Sequence, residues 1–318
     1  MQSTTKKATA ALLATAWFAL SLYILPYYTN GDQIAYRLVY EIAKNLSFSD
    51  GFNTYTAVLG SKEPGYFILA YTFSPIIQKD WLIATANGIL GYLLIASLLK
   101  RNASIIVALT LLPNFYIMVL LFSAERLKFG AILFFLAVIS ENKKRIISAI
   151  LAVLTHTQFM LLAASLLLSK TAQQGIEEKN KNTLKKYTNH ILAIATATIT
   201  VFLLKDHIQG KLNFYSSANS GASLENLIKP IVFLLLTLFY AKKEKTQAAL
   251  MHAPIIAASL VVGEDRIVIF SYFIFMLYSL KTNKGINIGV LATSFYFGVK
   301  GFLFLGNIIN YGNGFHGQ

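Results

Sequence analysis

Residues 114–140 read NFYIMVLLFSAERLKFGAILFFLAVIS, and this stretch decides the fold class of the chain. Two apolar runs, each approaching the about 20 residues that cross a bilayer, flank the polar hexapeptide SAERLK at 123–128. The hexapeptide therefore places Glu125, Arg126 and Lys128 between two segments of membrane character. These charges are either a solvated turn between helices or part of a functional site.

The composition of the whole chain indicates an integral membrane protein. Of its 318 residues, 55% are hydrophobic and 13% are charged, and the mean hydropathy is +0.56. The apolar segments have the length of helices, unlike the roughly 10-residue alternating strands of an outer-membrane barrel. We therefore expect an all-α polytopic membrane protein, with residues 1–318 forming a single transmembrane domain.

Eleven apolar segments are predicted as helices of this bundle, with about 10–13 transmembrane or re-entrant helices expected in all. They lie at residues 8–26, 65–78, 81–99, 104–122, 127–140, 145–168, 189–205, 227–241, 247–262, 267–280 and 286–306. The first follows Lys6 and Lys7 and is expected to be an uncleaved helix. Between the helices we expect an outer-face loop at 27–64, a basic cytoplasmic loop at 170–188 and a second outer-face loop at 206–226.

The net charge of +14 fits the positive-inside bias of membrane proteins better than binding to nucleic acid. The basic clusters are expected to share the cytoplasmic face, together with Lys79. They comprise Lys6/Lys7, Lys100/Arg101, Lys143/Lys144/Arg145, the run Lys170–Lys186, Lys242/Lys243/Lys245 and Lys281/Lys284. The loops around Asp32, Glu63, Arg126 and Arg266 then fall on the outer face.

Two segments do not fit a simple alternation across the membrane. If 81–99 and 145–168 each cross once, some basic clusters fall outside. Each segment has a polar interruption, Asn87-Gly88 in the first and Thr155-His156-Thr157 in the second. We therefore predict that both are broken or re-entrant helices.

Four residues on the predicted outer face are candidates for catalysis: Glu63, Arg126, His156 and Arg266. Glu63 precedes Pro64 at a helix start, where it is either a cap or a general base. Arg126 is either a charge in a turn or a ligand for phosphate or carboxylate. His156 lies within an apolar segment, where an ionisable residue is commonly functional, although a hydrogen-bonded packing histidine is the alternative.

Further polar residues on the same face are candidates for substrate binding. In GDQIAYRLVYEIAKNL, Asp32, Tyr36 and Tyr40 recur at helical spacing, which predicts an amphipathic helix along the interface or an ordinary aromatic belt. The candidates for binding are Asp32, Tyr36, Arg37, Lys211, Tyr215 and Tyr272. No cofactor is expected, and the chain has neither cysteine nor histidines at metal-ligand spacing.

Such a set of residues would line one outward-opening cavity rich in cationic groups. Two arginines at one site favour a multiply anionic ligand, and a membrane offers polyprenyl pyrophosphates as such a ligand. An aromatic site rich in oxygen atoms also suits carbohydrate.

The order of these motifs resembles the EpsG-like branch of the Wzy oligosaccharide polymerases. The resemblance covers roughly residues 25–280 and is carried by the motifs in sequence. They are Asp32 and Tyr36, then Glu63-Pro64-Gly65-Tyr66, then Arg126, then His156, then KLNFY at 211–215, then EDRIVIFSYF at 264–273.

The resemblance implies a GT-C-like bundle in the bacterial inner membrane and a glycosyltransferase activity on its periplasmic or outer face. Such an enzyme transfers a growing glycan from undecaprenyl pyrophosphate to an incoming lipid-linked repeat unit, without a metal. It further implies that Arg126 and Arg266 hold the pyrophosphate, that His156 contacts phosphate or assists proton transfer, and that Glu63 is the base. Lys211, Tyr215 and Tyr272 would support them.

The implied partners are the lipid-linked oligosaccharide, membrane lipid, and a chain-length regulator and flippase of the same pathway. Two alternatives remain open. One is an O-antigen ligase or another transferase with a polyprenyl-phosphate-linked donor, and the other is a lipid-linked oligosaccharide flippase or anion transporter. A flippase would favour a charged path from face to face, whereas these polar residues concentrate at one face.

Overall fold

A computed structural model describes residues 2–177, 209, 224–262 and 266–316 of the chain. Every regular element in these residues is helical, which confirms the all-α class. The chain forms two compact units, one of residues 1–159 with 286–318 and one of residues 160–285.

The first unit contains ten helices among its described residues. They are α1 (Gln2–Ile24), α2 (Asp32–Ala43), α3 (Phe48–Leu59), α4 (Pro64–Phe73), α5 (Lys79–Lys100), α6 (Ile105–Thr110), α7 (Phe115–Phe122), α8 (Glu125–Ile139), α9 (Asn142–Thr155) and α14 (Ile288–Tyr311). The second unit contains α10 (Phe159–Glu177, which begins at the last residue of the first unit), α11 (Ile228–Tyr240), α12 (Lys245–Val262) and α13 (Val268–Ser279). The predicted helix at 189–205 lies outside the described residues.

Three helices of the described residues are long and apolar enough to cross a membrane. They are Thr4–Tyr27, Lys79–Lys100 and Asn283–Tyr311, with mean hydropathies of 1.8, 1.9 and 1.6. At about 1.5 Å per residue, the second extends about 33 Å, close to the thickness of a hydrocarbon core. These helices support association with a membrane.

The predicted break at Asn87 in segment 81–99 is wrong, because α5 is a continuous helix from Lys79 to Lys100. The Asn87 amide instead donates to the Ser21 hydroxyl of α1 at 2.8 Å. The Trp17 ring packs against Gly91, and a Cβ atom at position 91 would lie 2.4 Å from that ring. The polar and small residues of this segment therefore serve close packing between α1 and α5.

The predicted helix at 104–122 is two short helices. α6 ends at Thr110 and α7 begins at Phe115, after Pro113 and an Asn114 side chain that caps the amides of Tyr116 and Ile117. The predicted break at His156 is confirmed. α9 ends at Thr155, and His156 has an extended backbone before α10 begins.

The basic clusters of the first unit meet at one end, as predicted from their charge. The Lys6 ammonium donates to the Asn102 side chain at 3.0 Å, and the Lys100 ammonium donates to the Ile139 carbonyl at 3.4 Å. The Asn30 amide donates to the Tyr311 carbonyl at the opposite end of α1. The first unit thus has a basic end, defined by Lys6, Lys100 and Ile139, and an opposite end that contains Glu63 and Arg126.

The predicted outer-face loop at 27–64 contains the expected amphipathic helix, α2, which buries Gln33, Tyr36 and Tyr40 on one side. It also contains α3, which the sequence analysis did not predict. The predicted cytoplasmic loop at 170–188 is helical as far as Glu177, where α10 ends. Of the loop at 206–226, most residues lie outside the described part of the chain.

In the second unit, the basic cluster and Arg266 also lie at opposite ends of a helix. Lys281, after α13, forms an ion pair with Glu244, which lies within the basic cluster at 242–245. Arg266 lies just before α13, a helix of 12 residues, and therefore at its other end from Lys281. Inside the unit, the buried His252 ring lies 2.9 Å from the Thr237 hydroxyl.

Candidate functional site

Four of the predicted site residues come together in the first unit: Tyr36, Glu63, Arg126 and His156. Tyr36 lies in α2, Glu63 just before α4, Arg126 in α8 and His156 in the break after α9. All four are at most 9% exposed. The charges of SAERLK are therefore part of a buried site, and the interpretation of the hexapeptide as a merely solvated turn is wrong.

Glu63 is the centre of this group, because its carboxylate accepts from five donors. One oxygen accepts from Arg126 Nη1 at 3.0 Å and from the Ser61 hydroxyl at 3.1 Å. The other accepts from the Thr157 amide and hydroxyl, both at 2.9 Å. The His156 Nδ1 atom is 3.0 Å from the carboxylate. These contacts stabilise a charged and immobile carboxylate.

The local sequence explains why Glu63 points into the group. The Glu63 backbone is extended before Pro64, and its side chain makes no capping hydrogen bond to its own helix. Glu63 thus occupies the N-cap position of α4, as the cap interpretation predicted, but its side chain does not cap the helix by a hydrogen bond. The absent side chain of Gly65 lets α4 meet Thr155, where a Cβ would lie 2.6 Å from the Thr155 Cα atom. This close approach brings Glu63 beside His156.

His156 owes its position to the interruption between α9 and α10. Its amide donates to the Ala152 carbonyl at 3.0 Å, and its own carbonyl accepts from the Phe159 amide at 3.1 Å. The ring therefore projects from a short extended segment rather than from a helix face. The contact with the Glu63 carboxylate assigns a proton to Nδ1, and in the neutral form of the ring Nε2 is the nitrogen that accepts a proton.

Arg126 is the second residue of α8 and is buried beside two partners. Its Nη1 pairs with Glu63, and its Nε donates to the Tyr36 hydroxyl at 3.4 Å. A guanidinium has five N–H donors, so these two contacts orient the group and leave N–H donors for an oxyanion.

A second buried ion pair, between Lys79 and Glu125, lies next to the first and was not predicted from the sequence. The Glu125 carboxylate accepts from the Lys79 ammonium at 2.5 Å and from the Tyr66 hydroxyl at 2.7 Å. Lys79 also donates to the Gln33 side chain at 2.7 Å, and the Gln33 amide donates to the Phe122 carbonyl at 2.9 Å. Glu125 and Gln33 have no exposed surface.

This pair overturns the assignment of Lys79 to the cytoplasmic face. Lys79 contacts Glu125, the neighbour of Arg126, so it lies at the end of the unit opposite the basic end. The next residue, Asp80, pairs with Arg37 at 2.9 Å. A signal was present in the sequence, since Lys79 and Asp80 open an apolar helix of 22 residues, where charges require partners.

Aromatic contacts join the two ion pairs. The Tyr36 ring meets the Tyr66 ring edge to face, with centroids 5.4 Å apart, and the Lys79 ammonium lies 6.0 Å from the Tyr36 centroid. Lys128 adds a third cation, which interacts electrostatically with Glu125 and Lys79. We call the six residues together the charged cluster: Glu63, Lys79, Glu125, Arg126, Lys128 and His156.

The charged cluster contains more basic than acidic side chains. Three basic groups (Lys79, Arg126 and Lys128) face two carboxylates (Glu63 and Glu125), which gives a formal charge of +1 when all three are protonated and His156 is neutral, although burial opposes the charged form of Lys128. Nearby, burial raises the pKa of Tyr55 to about 12, so its neutral hydroxyl donates to Ser61 Oγ at 3.4 Å. The cluster as a whole is suited to an anionic ligand.

The remaining predicted site residues are not members of the charged cluster. Arg37 donates to the Leu25 carbonyl at 2.7 Å and pairs with Asp80, so it fastens α2 to its neighbours. Asp32 is exposed at the start of α2. Arg266 and the buried Tyr272 belong to the second unit. Lys211 and Tyr215 lie outside the described residues.

Among the described residues, no group of three or more histidine, aspartate or glutamate side chains could hold a metal ion. Comparison with protein-family models, with curated proteins and with solved structures found no match.

Proposed function

We propose that the protein is a glycosyltransferase of the bacterial inner membrane that polymerises undecaprenyl-pyrophosphate-linked oligosaccharide repeat units on the periplasmic or outer face. The observation that carries the proposal is the buried charged cluster, in which a Glu63–His156 pair lies beside Arg126 with an excess of positive charge. An acid–base pair next to an oxyanion ligand is what displacement of a pyrophosphate by a hydroxyl group requires.

We further propose a multi-pass, GT-C-like bundle of about 10–13 transmembrane or re-entrant helices, given the apolar composition. Support comes from the three helices of membrane-spanning length and from the break at His156. The basic end would face the cytoplasm and the charged cluster the opposite side.

The proposed reaction forms one glycosidic bond and breaks one bond to phosphate. A hydroxyl oxygen of the acceptor sugar attacks the anomeric carbon of the donor, and the electron pair of the broken C–O bond passes to the pyrophosphate. Arg126 stabilises the charge that develops there.

The proton of the attacking hydroxyl needs an acceptor, and the geometry favours His156 Nε2. Glu63 holds the opposite ring nitrogen and stabilises the imidazolium that forms. The five contacts to the Glu63 carboxylate suit an orienting group better than the general base that the resemblance implies. We therefore propose that Glu63 and His156 act together, with His156 as the base.

The placement of the cluster favours an enzyme over a flippase. Both buried ion pairs of the first unit, Glu63–Arg126 and Lys79–Glu125, lie at the end opposite Lys6 and Lys100 among the described residues. A flippase would favour a charged path from one face to the other. A ligase or another transferase with the same donor would use the same cluster with a different acceptor.

The test is the surface polysaccharide of cells that lack their own copy of the gene. They are complemented with wild type, Arg126→Ala, His156→Gln or the control Arg145→Ala, which removes an exposed arginine at the basic end, at matched membrane levels. We expect wild type and the control to restore a ladder of polymer lengths. Arg126→Ala and His156→Gln should leave glycans of a single repeat unit.

Two outcomes contradict the proposal in different ways. A ladder that does not depend on the gene removes the polymerase function altogether. A normal ladder with both cluster variants keeps a polymerase but removes the charged cluster from its active site. Loss of translocated single repeat units, rather than of polymer, would indicate a flippase.

A further inference from the structure

Among the described residues, Lys128 is the basic side chain of the charged cluster that contacts no carboxylate. Its amino group is completely buried and has no hydrogen-bond partner in this part of the chain, whereas Lys79 and Arg126 each contact a carboxylate. The Glu125 carboxylate, which interacts with Lys128 electrostatically, is already engaged, because one of its oxygens accepts from Lys79 and the other from Tyr66. The described residues therefore bury the Lys128 amino group without a hydrogen-bond acceptor.

The position of Lys128 is expected to destabilise the folded protein for two reasons. A buried charge without a hydrogen-bonded partner is strongly unfavourable, and an apolar side chain of similar length would be tolerated better. Arg126 and Lys128 also lie in the first turn of α8, where the positive end of the helix dipole disfavours cations. A residue that costs stability in this way is expected to act on a ligand.

Two neighbouring features indicate where the ligand would enter. The Ser123 hydroxyl, just before α8, is likewise buried and has no hydrogen-bond partner within the described parts of the chain. Arg126 keeps 9% of its surface exposed, whereas Lys128 has none, so Arg126 marks the accessible edge and Lys128 the deeper part. Unused donors at the start of one helix suit phosphate oxygens.

We propose that Lys128 is a substrate-binding residue whose ammonium binds a phosphate oxygen of an entering pyrophosphate group, with the Ser123 hydroxyl as a further donor. This inference rests on the proposed function, and it specifies which cation receives the pyrophosphate. Glu63 holds Arg126 in place, while Lys128 supplies a basic group that pairs by contact with no carboxylate of the described residues. The ligand therefore completes the cluster electrostatically.

The experiment measures binding and stability on the same samples of full-length protein. Wild type, Lys128→Met and the control Lys62→Met are placed in phosphatidylcholine nanodiscs, which carry no anionic headgroups. Lys62 is exposed and adjacent to Glu63, so the control removes the same charge at the same end. The probes are inorganic pyrophosphate, farnesyl pyrophosphate and phosphatidylglycerol, with affinity followed by titration and unfolding by heating.

We expect Lys128→Met to weaken pyrophosphate binding about 10- to 100-fold, as loss of one hydrogen bond to a charged group does. Its Tm should stay the same or rise, because the variant removes an uncompensated buried charge. The control should match wild type in both measurements. A preference for the farnesyl compound or for inorganic pyrophosphate would show whether the prenyl chain contributes to the same phosphate site.

Several results would overturn the inference. They are unchanged affinity in Lys128→Met, a fall in its Tm or failure to fold, and absence of pyrophosphate binding by wild type. Tighter binding of phosphatidylglycerol than of either pyrophosphate would identify a lipid site instead. If Lys128→Met loses pyrophosphate binding although the polysaccharide ladder does not depend on the protein, the proposed polymerase fails while the Lys128 site stands.

Discussion

Replacement of Glu63 by glutamine should destabilise the first unit strongly, although the two side chains have nearly the same shape. Glutamine keeps one oxygen for the Thr157 amide and hydroxyl. Its NH₂ group then faces the donors of Arg126 and His156, where the carboxylate oxygen accepted hydrogen bonds. The variant also leaves the buried Arg126 charge without its partner.

The size of the effect follows from the burial of the pair, since Glu63 is 1% exposed and Arg126 is 9% exposed. Removing one partner of a buried ion pair costs about 3–5 kcal/mol. At about 2–4 °C per kcal/mol for a unit of this size, the Tm should fall by roughly 6–20 °C. The double variant Glu63→Gln/Arg126→Met removes both partners and should recover most of the loss.

Tryptophan fluorescence during heating in detergent is a suitable assay, because both tryptophans, Trp17 and Trp81, belong to the first unit. Glu41→Gln is the matched control. It makes the same substitution in the exposed Glu41–Lys44 pair, where a loss of at most about 1 kcal/mol is expected. A Glu63→Gln protein as stable as this control, or strictly additive effects in the double variant, would refute the reasoning.

Two further predictions concern close packing and sidedness. Gly65→Ala should lower the Tm and abolish polymer formation, because its Cβ would collide with Thr155, whereas Gly306→Ala, which meets open space, should behave as wild type in both assays. The chain has no cysteine, so Lys62→Cys and Lys143→Cys each introduce a single thiol. An impermeant maleimide should label them from opposite faces of the membrane, and labelling from the same face would contradict the orientation.

Local chemistry made much of the fold predictable from sequence. The apolar composition determined the helical class, and a histidine between two threonines marked the break after α9. The charge of Lys6 and Lys100 predicted their common end, because basic residues avoid translocation. The sequence also marked Glu63, Arg126 and His156, since ionisable residues at the edges of apolar segments need a reason to be there.

Tertiary structure decided which of these residues are partners. Asn87 was predicted as a break because it is polar, but its NH₂ group donates to a hydroxyl on α1 and α5 is continuous. Lys79 was assigned to the wrong end because its partner, Glu125, lies 46 residues away. The type of each side chain can be read directly from the sequence. Its neighbours across the bundle depend on helix lengths and crossing angles, which no short stretch of sequence specifies. Only the structure shows that Glu125 pairs with Lys79 and Glu63 with Arg126. Among the described residues, Lys128 is then left without a carboxylate in contact.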